Sequence, residues 1–406
     1  MTNVNKFRVA VLGACGHIGL PLSVSLANAG FKIVGIDKNS EVVRQVKKGR
    51  FPFVEIDGEK LLGIALESGN LTFSSQLSEL SDCQAIIVCI GTPVDENLSP
   101  IPRIFEEIIE EIVPFIKSGS NVILRSTVFP GTTRLVEKRL HQIGVHVSFC
   151  PERILQGYAF AESKNLPNIV SGCCEFSMLS AKAIFEELGP VIEGSIEASE
   201  LAKLFLNAYR YINFAISNEF FTISNDAGID YAEVMRLMKT DYPRANSLPK
   251  PGLTAGPCLM KDTMQILAFA QNKFLLGNSA FLTNEGLATY LAKSLKAVDG
   301  YEEMTVGLLG MSFKAESDDI RSSLSYRVKK TLQLMGIKVV CADPLVSNDK
   351  TLVPVNQLMV SADIIVICTP HESFKELVFE GKYVLDIWGQ VSQSLDLNLQ
   401  LELRRK

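Results

Sequence analysis

The stretch that most restricts the fold lies near the start of the chain. Residues 7–12, FRVAVL, form an unbroken apolar run, and Gly13, Gly16 and Gly19 follow it. A helical pattern over residues 17–29 comes next, then the run KIVGI and Asp37. Strand, glycine turn, helix, strand and acid make one βαβ unit, which commits this region to a parallel sheet. The glycines permit a tight turn and let a pyrophosphate approach backbone N–H groups at a helix N-terminus. Asp37 is placed to accept the two hydroxyls of an adenosine ribose and to repel a 2′-phosphate, so NAD is expected over NADP. The spacing is GxxGxxG, one residue longer on the first side than the usual GxGxxG. A glycine turn can also serve helix–sheet packing alone. His17, inside the turn, reads as a partly exposed residue at the helix start.

Further apolar runs at 85–90, 121–125 and 145–149 alternate with helical patterns, as a parallel sheet with helices on both faces requires. From 197 to 226 the sequence becomes one long helical pattern, and helical sequence continues to about residue 297. An α/β pattern then restarts at Met304–Gly310. QAIIVCIGTP (84–93) echoes DIIVICTP (363–370), and KIVGID (32–37) echoes KVVCAD (338–343). The expected fold is α/β, with two Rossmann-like doubly wound domains joined by a central helical dimerisation region. The expected domains are 1–196, which binds the dinucleotide, 197–298, helical with a cysteine loop, and 299–406. The 197–226 helix is too apolar for one subunit to cover, so at least a homodimer is expected.

Composition narrows the partners. The net charge is −5 and the pI about 5.6, which argues against a general nucleic-acid or anionic-membrane binder. No apolar run is long enough for a transmembrane helix. The N-terminus runs directly into a strand pattern, so no signal peptide is expected. The nine cysteines then read as reduced thiols in a cytoplasm. Their spacing suggests no metal site.

Two features carry chemistry. Lys203, Asn207 and Arg210 share one face of the long helix. The other sides are apolar, which reads as a buried helix whose cations face a charged ligand. Cys258 sits in the loop GLTAGPCLMKD (252–262) and opens the next helical pattern. The helix dipole favours the thiolate there, whereas an unperturbed thiol is only about 3% ionised at pH 7. Asp262 lies one turn further on the same face, suited to handling a proton or a water. A free cysteine is also commonly a small buried hydrophobe.

These residues bring the chain close to a known family. GHIGLPL (16–22), GTPVDE (91–96), STVFPGTT (126–133), PERILQG (151–157), ELAKLFLNAYRYINFAISNE (200–219), GPCLMKD (256–262) and FKAESDDIRSS (313–323) resemble the UDP-glucose/GDP-mannose dehydrogenase family over essentially the full length. The resemblance implies NAD as cofactor, a UDP-sugar as substrate and two successive oxidations of the sugar C6 alcohol to a carboxylate. It implies Cys258 as nucleophile and Asp262 with Lys203 as the pair that manages protons and oxyanions. Thr127 and Glu152 would position water, and Asn207 would contact substrate or oxyanion. Cofactor contacts are implied for Gly13, Gly16, His17, Ile18 and Gly19, and for Asp37, Thr92, Thr127 and Arg321. Substrate contacts are implied for Glu152, Arg153, Lys203 and Asn207, for Gly252 and Lys314, and for Arg244, which would reach the neighbouring subunit's site.

The chain departs from the family pattern in the first glycine spacing and at Ala315, where the family often has Pro. Asp386-Ile387-Trp388-Gly389 stands where the family often has an Arg-Asn pair, which touches the nucleotide-phosphate contacts. PER at 151–153 resembles members acting on UDP-N-acetylhexosamines, whereas Lys261-Asp262 after the cysteine resembles the glucose and mannose members. The expected activity is oxidation of a UDP-N-acetylhexosamine, N-acetylmannosamine or N-acetylglucosamine first, with UDP-glucose as the alternative. A cysteine hydrolase would need a histidine base, and none of His17, His141, His146 and His371 lies near Cys258 in sequence. The remaining alternative is a catalytically inactive nucleotide-sugar-binding protein.

Overall fold

The computed structural model describes residues 7–391 apart from 93, 96–98, 102, 254, 255 and 257. Pro257 and Glu96, which belong to two of the motifs above, therefore lie outside the described residues. The chain divides into two compact units, one ending at Leu206 and one starting at Asn207. The division falls inside the long helix Ile196–Asp226.

The first unit is built on β1 (Arg8–Leu12), β2 (Lys32–Ile36), β3 (Leu71–Ser74), β4 (Ala85–Val88), β5 (Asn121–Leu124), β6 (His146–Phe149), β7 (Asn168–Gly172) and β8 (Val191–Glu193). They form an eight-stranded sheet in the order β3-β2-β1-β4-β5-β6-β7-β8. The first six strands are parallel and carry the 3-2-1-4-5-6 order of a Rossmann fold; β6 pairs antiparallel with β7. Successive residues of β1 enter two different cores, Val9 and Val11 on one face, Ala10 and Leu12 on the other. Burial on both faces is why these strands read as continuous apolar runs.

The second unit holds β9 (Thr305–Leu309), β10 (Lys338–Ala342), β11 (Ile364–Ile367) and β12 (Tyr383–Leu385), all parallel, in the order β10-β9-β11-β12. The sequence echo is structural: β1-β2-β4 and β9-β10-β11 have the same neighbours. Gly13 and Gly310, which follow β1 and β9, both have positive φ, +74° and +88°. The Leu259–Phe269 and Leu275–Ser294 helices also belong to this unit. Among the described residues no helix is long and apolar enough to cross a membrane.

One expectation for the long helix is corrected. It is apolar nearly all round, but it is not buried all round within the chain. Leu204, Ala208, Tyr211 and Ala215 are buried along one line, whereas Phe205, Leu206, Tyr209, Ile216, Phe220 and Ile223 are exposed. Arg210 is exposed as well.

Two largely enclosed carboxylates lock the first unit. Glu200 gives its two oxygens to the N–H groups of Gly131 (2.7 Å) and Thr133 (2.9 Å), and so caps the Thr132–His141 helix from a distant segment. Arg125, at the end of β5, is buried and pairs with Glu152 at 2.6 Å. Its remaining N–H groups reach the carbonyls of Cys150 and Pro151 and the Asn168 side chain. Removing one partner of a buried pair strands the other charge, which costs about 3–5 kcal/mol. Glu152→Ala should therefore lower the unfolding free energy of the first unit by about that amount, read from a urea denaturation midpoint. An unchanged midpoint would show that the pair is not structural.

Candidate active site

The carboxyl edge of the first sheet gathers one group of expected site residues. The Gly13–Gly19 turn follows β1, Asp37 follows β2, Thr92 lies beyond β4, Thr127 beyond β5, and Glu152 and Arg153 beyond β6. Ligands of open α/β sheets bind at this edge. A Cβ on Gly13 would lie 2.3 Å from Cys89 O, and one on Gly19 would lie 2.2 Å from Gly13 O. Both glycines are thus demanded by the turn, whereas a Cβ on Gly16 would come no closer than 3.4 Å. Asp37 Oδ2 accepts the turn's Cys15 N–H (3.0 Å) and Oδ1 accepts the Asn39 N–H (3.0 Å). Each oxygen keeps a lone pair, which suits two vicinal hydroxyls. Ile18 is the N-cap residue of the Gly19–Asn28 helix. His17 stacks on Phe53 with ring centroids 4.1 Å apart. The glycine cradle and the half-buried Asp37 fit an NAD adenosine and pyrophosphate.

At this edge Glu152 is more constrained than its sequence suggests. Oε1 accepts the Arg153 and Ile154 N–H groups and Oε2 accepts two N–H groups of Arg125. Arg153 donates to Pro167 O, and burial followed by the charge of Arg125 lowers its pKa. Arg125 was not singled out from sequence. A lone arginine ending a strand carries no pattern that separates it from a solvated strand end.

In the second unit the thiol is set up by its helix. Of the nine cysteines only Cys174 and Cys258 are exposed. Burial pushes Cys15, Cys89 and Cys150 up to about 12 and Cys341 up to about 11, which keeps them as protonated thiols. Cys258 is the N-cap residue of the Leu259–Phe269 helix. Its carbonyl accepts the Asp262 N–H at 2.9 Å, one full turn on. Asp262 is completely buried. Its Oδ2 accepts from Asn207 Nδ2 at 2.5 Å, while Oδ1 accepts no hydrogen bond and lies 3.5 Å from Lys261 Nζ. Lys203 lies one turn before Asn207 on the long helix and is half-buried.

Gly252 and Gly256, before Cys258, each sit against an aromatic ring. Gly256 has φ +103°, and a Cβ there would meet the Phe313 ring at 2.5 Å; a Cβ on Gly252 would meet Trp388 at 2.2 Å. Trp388 donates its indole N–H to Cys368 O and accepts Lys250 Nζ on its carbonyl. Lys314 follows Phe313 and is half-buried. Arg321 is clamped by Asp319 at 2.6 Å. That carboxylate raises the pKa of the guanidinium most, against the opposing effect of burial. Arg244 does not join this group: it is exposed on the Pro243–Ala245 turn with its guanidinium over the Tyr242 ring. The other exposed cysteine, Cys174 in the first unit, lies 3.4 Å from His146 Nδ1.

Comparison with known proteins places the chain in a family. Residues 7–188 match the NAD binding domain of the UDP-glucose/GDP-mannose dehydrogenase family, 197–283 its central domain and 307–393 its UDP binding domain. The chain is 31% identical to a UDP-N-acetyl-D-mannosamine dehydrogenase of Methanocaldococcus jannaschii, over 100% of this chain and 96% of that protein. It is 28% identical to an NDP-N-acetyl-D-galactosaminuronic acid dehydrogenase of Ralstonia nicotianae, covering 95% and 97%. Among solved structures, a UDP-D-ManNAc dehydrogenase from Pyrococcus horikoshii superposes with a TM-score of 0.85 at 28% identity, covering 95% of this chain and 93% of that one. The chain belongs to the UDP-glucose/GDP-mannose dehydrogenase family and is an NAD-dependent nucleotide-sugar dehydrogenase.

Proposed function

We propose that the chain oxidises the C6 alcohol of UDP-N-acetyl-D-mannosamine to a uronic acid through a thiohemiacetal and a thioester on Cys258. The observation that carries this reading is the exposed Cys258 at a helix start, one turn from a buried Asp262 that Asn207 holds by one oxygen only. The names of the similar proteins support the sugar. Bound NAD supplies the hydride acceptor for both oxidations. An aldehyde cannot be oxidised that way until a nucleophile adds to its carbon, and the Cys258 thiolate is placed to add. Oxidation of the adduct gives a thioester, and water releases the uronate and the thiol. Asp262 takes up protons from the alcohol and the attacking water. Lys203 and Asn207 stabilise the oxyanion. Thr127 lines the water's position. Glu152, with both oxygens saturated, orients Arg125 and the 152–154 segment rather than moving a proton.

Lys314 and Arg321 contact the UDP-sugar and cofactor in this reading, Gly252 and Arg153 border the substrate, and His17, Ile18 and Thr92 border the cofactor. The functional division runs 1–196, 197–298 and 299–406. The exposed apolar line of the long helix, with Leu275, Leu276 and Leu282 exposed on the Leu275–Ser294 helix, supports a homodimer, in which Arg244 serves the neighbouring site. A reducing cytoplasm suits a catalytic thiol. UDP-glucose is the second reading, supported by Lys261-Asp262 after Cys258.

Following NADH absorbance with UDP-N-acetylmannosamine, UDP-N-acetylglucosamine, UDP-N-acetylgalactosamine and UDP-glucose, each with NAD or NADP, tests the reading. UDP-N-acetylmannosamine with NAD should give the highest kcat/KM. A preference for UDP-glucose would favour the second reading, equal turnover with NADP would remove Asp37 from the ribose, and no turnover would leave a binding protein. Light scattering at micromolar concentration should show a dimer or larger; a monomer would remove the cross-subunit role of Arg244.

A further inference from the structure

The carboxyl ends of the second sheet meet at a buried side chain that the reaction above does not use. His371, beyond β11, is 1% exposed. Its Nδ1 accepts the backbone N–H of Glu316 at 3.1 Å. That nitrogen therefore carries no proton, and the neutral ring holds its proton on Nε2. Nε2 lies 3.1 Å from Asp343 Oδ2 and 3.2 Å from Ser312 Oγ. The Ser312 hydroxyl donates onward to the carbonyl of Lys314 at 2.9 Å. From beyond β12, Gln390 Nε2 donates to the His371 carbonyl. The ring thus ties the loop on both sides of Lys314, through Ser312 and through Glu316. The loop needs such ties, because Glu316 (φ +55°) and Ser322 (φ +54°) are both left-handed without being glycine.

We propose that His371, in its neutral form, is the positioning residue that holds the 312–316 turn in the shape that presents Lys314 to the nucleotide sugar. This rests on the reading of Lys314 as a substrate contact. The charged groups facing the ring are Asp343 from the end of β10 and Glu316 from the loop. Phe374 packs its ring against the imidazole from the following turn, and Glu372 N–H sits on Glu316 Oε1. Asp343 is itself fixed by the N–H groups of Met311, Ser312, Leu345 and Val346. A second ring proton would put two donors, Nδ1–H and Glu316 N–H, against each other. The Glu316 carboxylate, 3.6 Å from Nδ1, would then compete for that proton and the turn would change shape.

His371→Asn and His371→Gln in the full-length enzyme separate the two ring nitrogens. Asn offers an acceptor near the position of Nδ1, whereas Gln reaches toward Nε2 and leaves Glu316 N–H unanswered. His371→Gln should raise the KM for the UDP-sugar and the calorimetric Kd for UDP about tenfold, the effect of one lost hydrogen bond in the loop. Its kcat and its KM for NAD should stay close to wild type. His371→Asn should bind UDP nearly as the wild type does and keep its KM for the UDP-sugar. Two results would overturn the proposal: both variants keeping the wild-type KM and UDP affinity, or both losing kcat, NAD affinity and Tm together, as a merely structural residue would. UDP binding decides this even if no UDP-sugar is oxidised, an outcome that would count against the functional reading alone.

Discussion

A carboxylate withdrawn from water has lone pairs on two oxygens to satisfy, and leaving them unanswered costs several kcal/mol. This chain answers most of them with backbone N–H groups at strand ends and helix starts. Glu200 takes two such groups, Glu152 takes two and a guanidinium, and Asp343 takes four and a histidine. Among the described residues, Asp262 holds the one buried carboxylate oxygen with no hydrogen bond. It lies one turn behind the exposed thiol. That open oxygen is the feature on which the proposed role of Asp262 as a base rests.

The two sheets use the same device for different ends. Asp37 and Asp343 occupy equivalent positions after the second strand of each βαβ unit. Asp37 is half-buried, and each oxygen holds a single N–H, so it can still receive a ribose. Asp343 is sealed. Burial works to raise its pKa, but His371 and the N–H groups of Leu345 and Ser312 outweigh this and hold it below the usual carboxylate range. A carboxylate depressed in the folded state stabilises the fold above its unfolded pKa of about 3.9 and loses that contribution as pH falls through the folded value. The second acid thus works as internal bracing.

Much of this was legible in the sequence because parallel strands buried on both faces leave continuous apolar runs, and because the glycine turn constrains its neighbours locally. The strands at 85–90 and 121–125, the long helix, the paired echoes and the helix start at Cys258 all follow from such local patterns. What stayed hidden depends on distance along the chain. The Glu200 cap of the Thr132–His141 helix joins residues 67 apart, and the Arg125–Glu152 pair joins residues 27 apart. His371 reads as one polar residue after a strand until the loop at 316 folds back on it. The long helix was misjudged for another reason: an apolar pattern records what is kept from water, not whether the chain or a second copy covers it.

The central claim is that Cys258 carries the second oxidation as a covalent adduct, and the ratio of NADH formed to uronate formed tests it most directly, measured for the wild type and Cys258→Ala with released aldehyde trapped. The wild type should give two NADH per uronate and no aldehyde, and Cys258→Ala should stop at the aldehyde level with no uronate. Uronate formed by Cys258→Ala at near the wild-type rate, with two NADH per sugar, would contradict the account and leave Cys258 a packing residue.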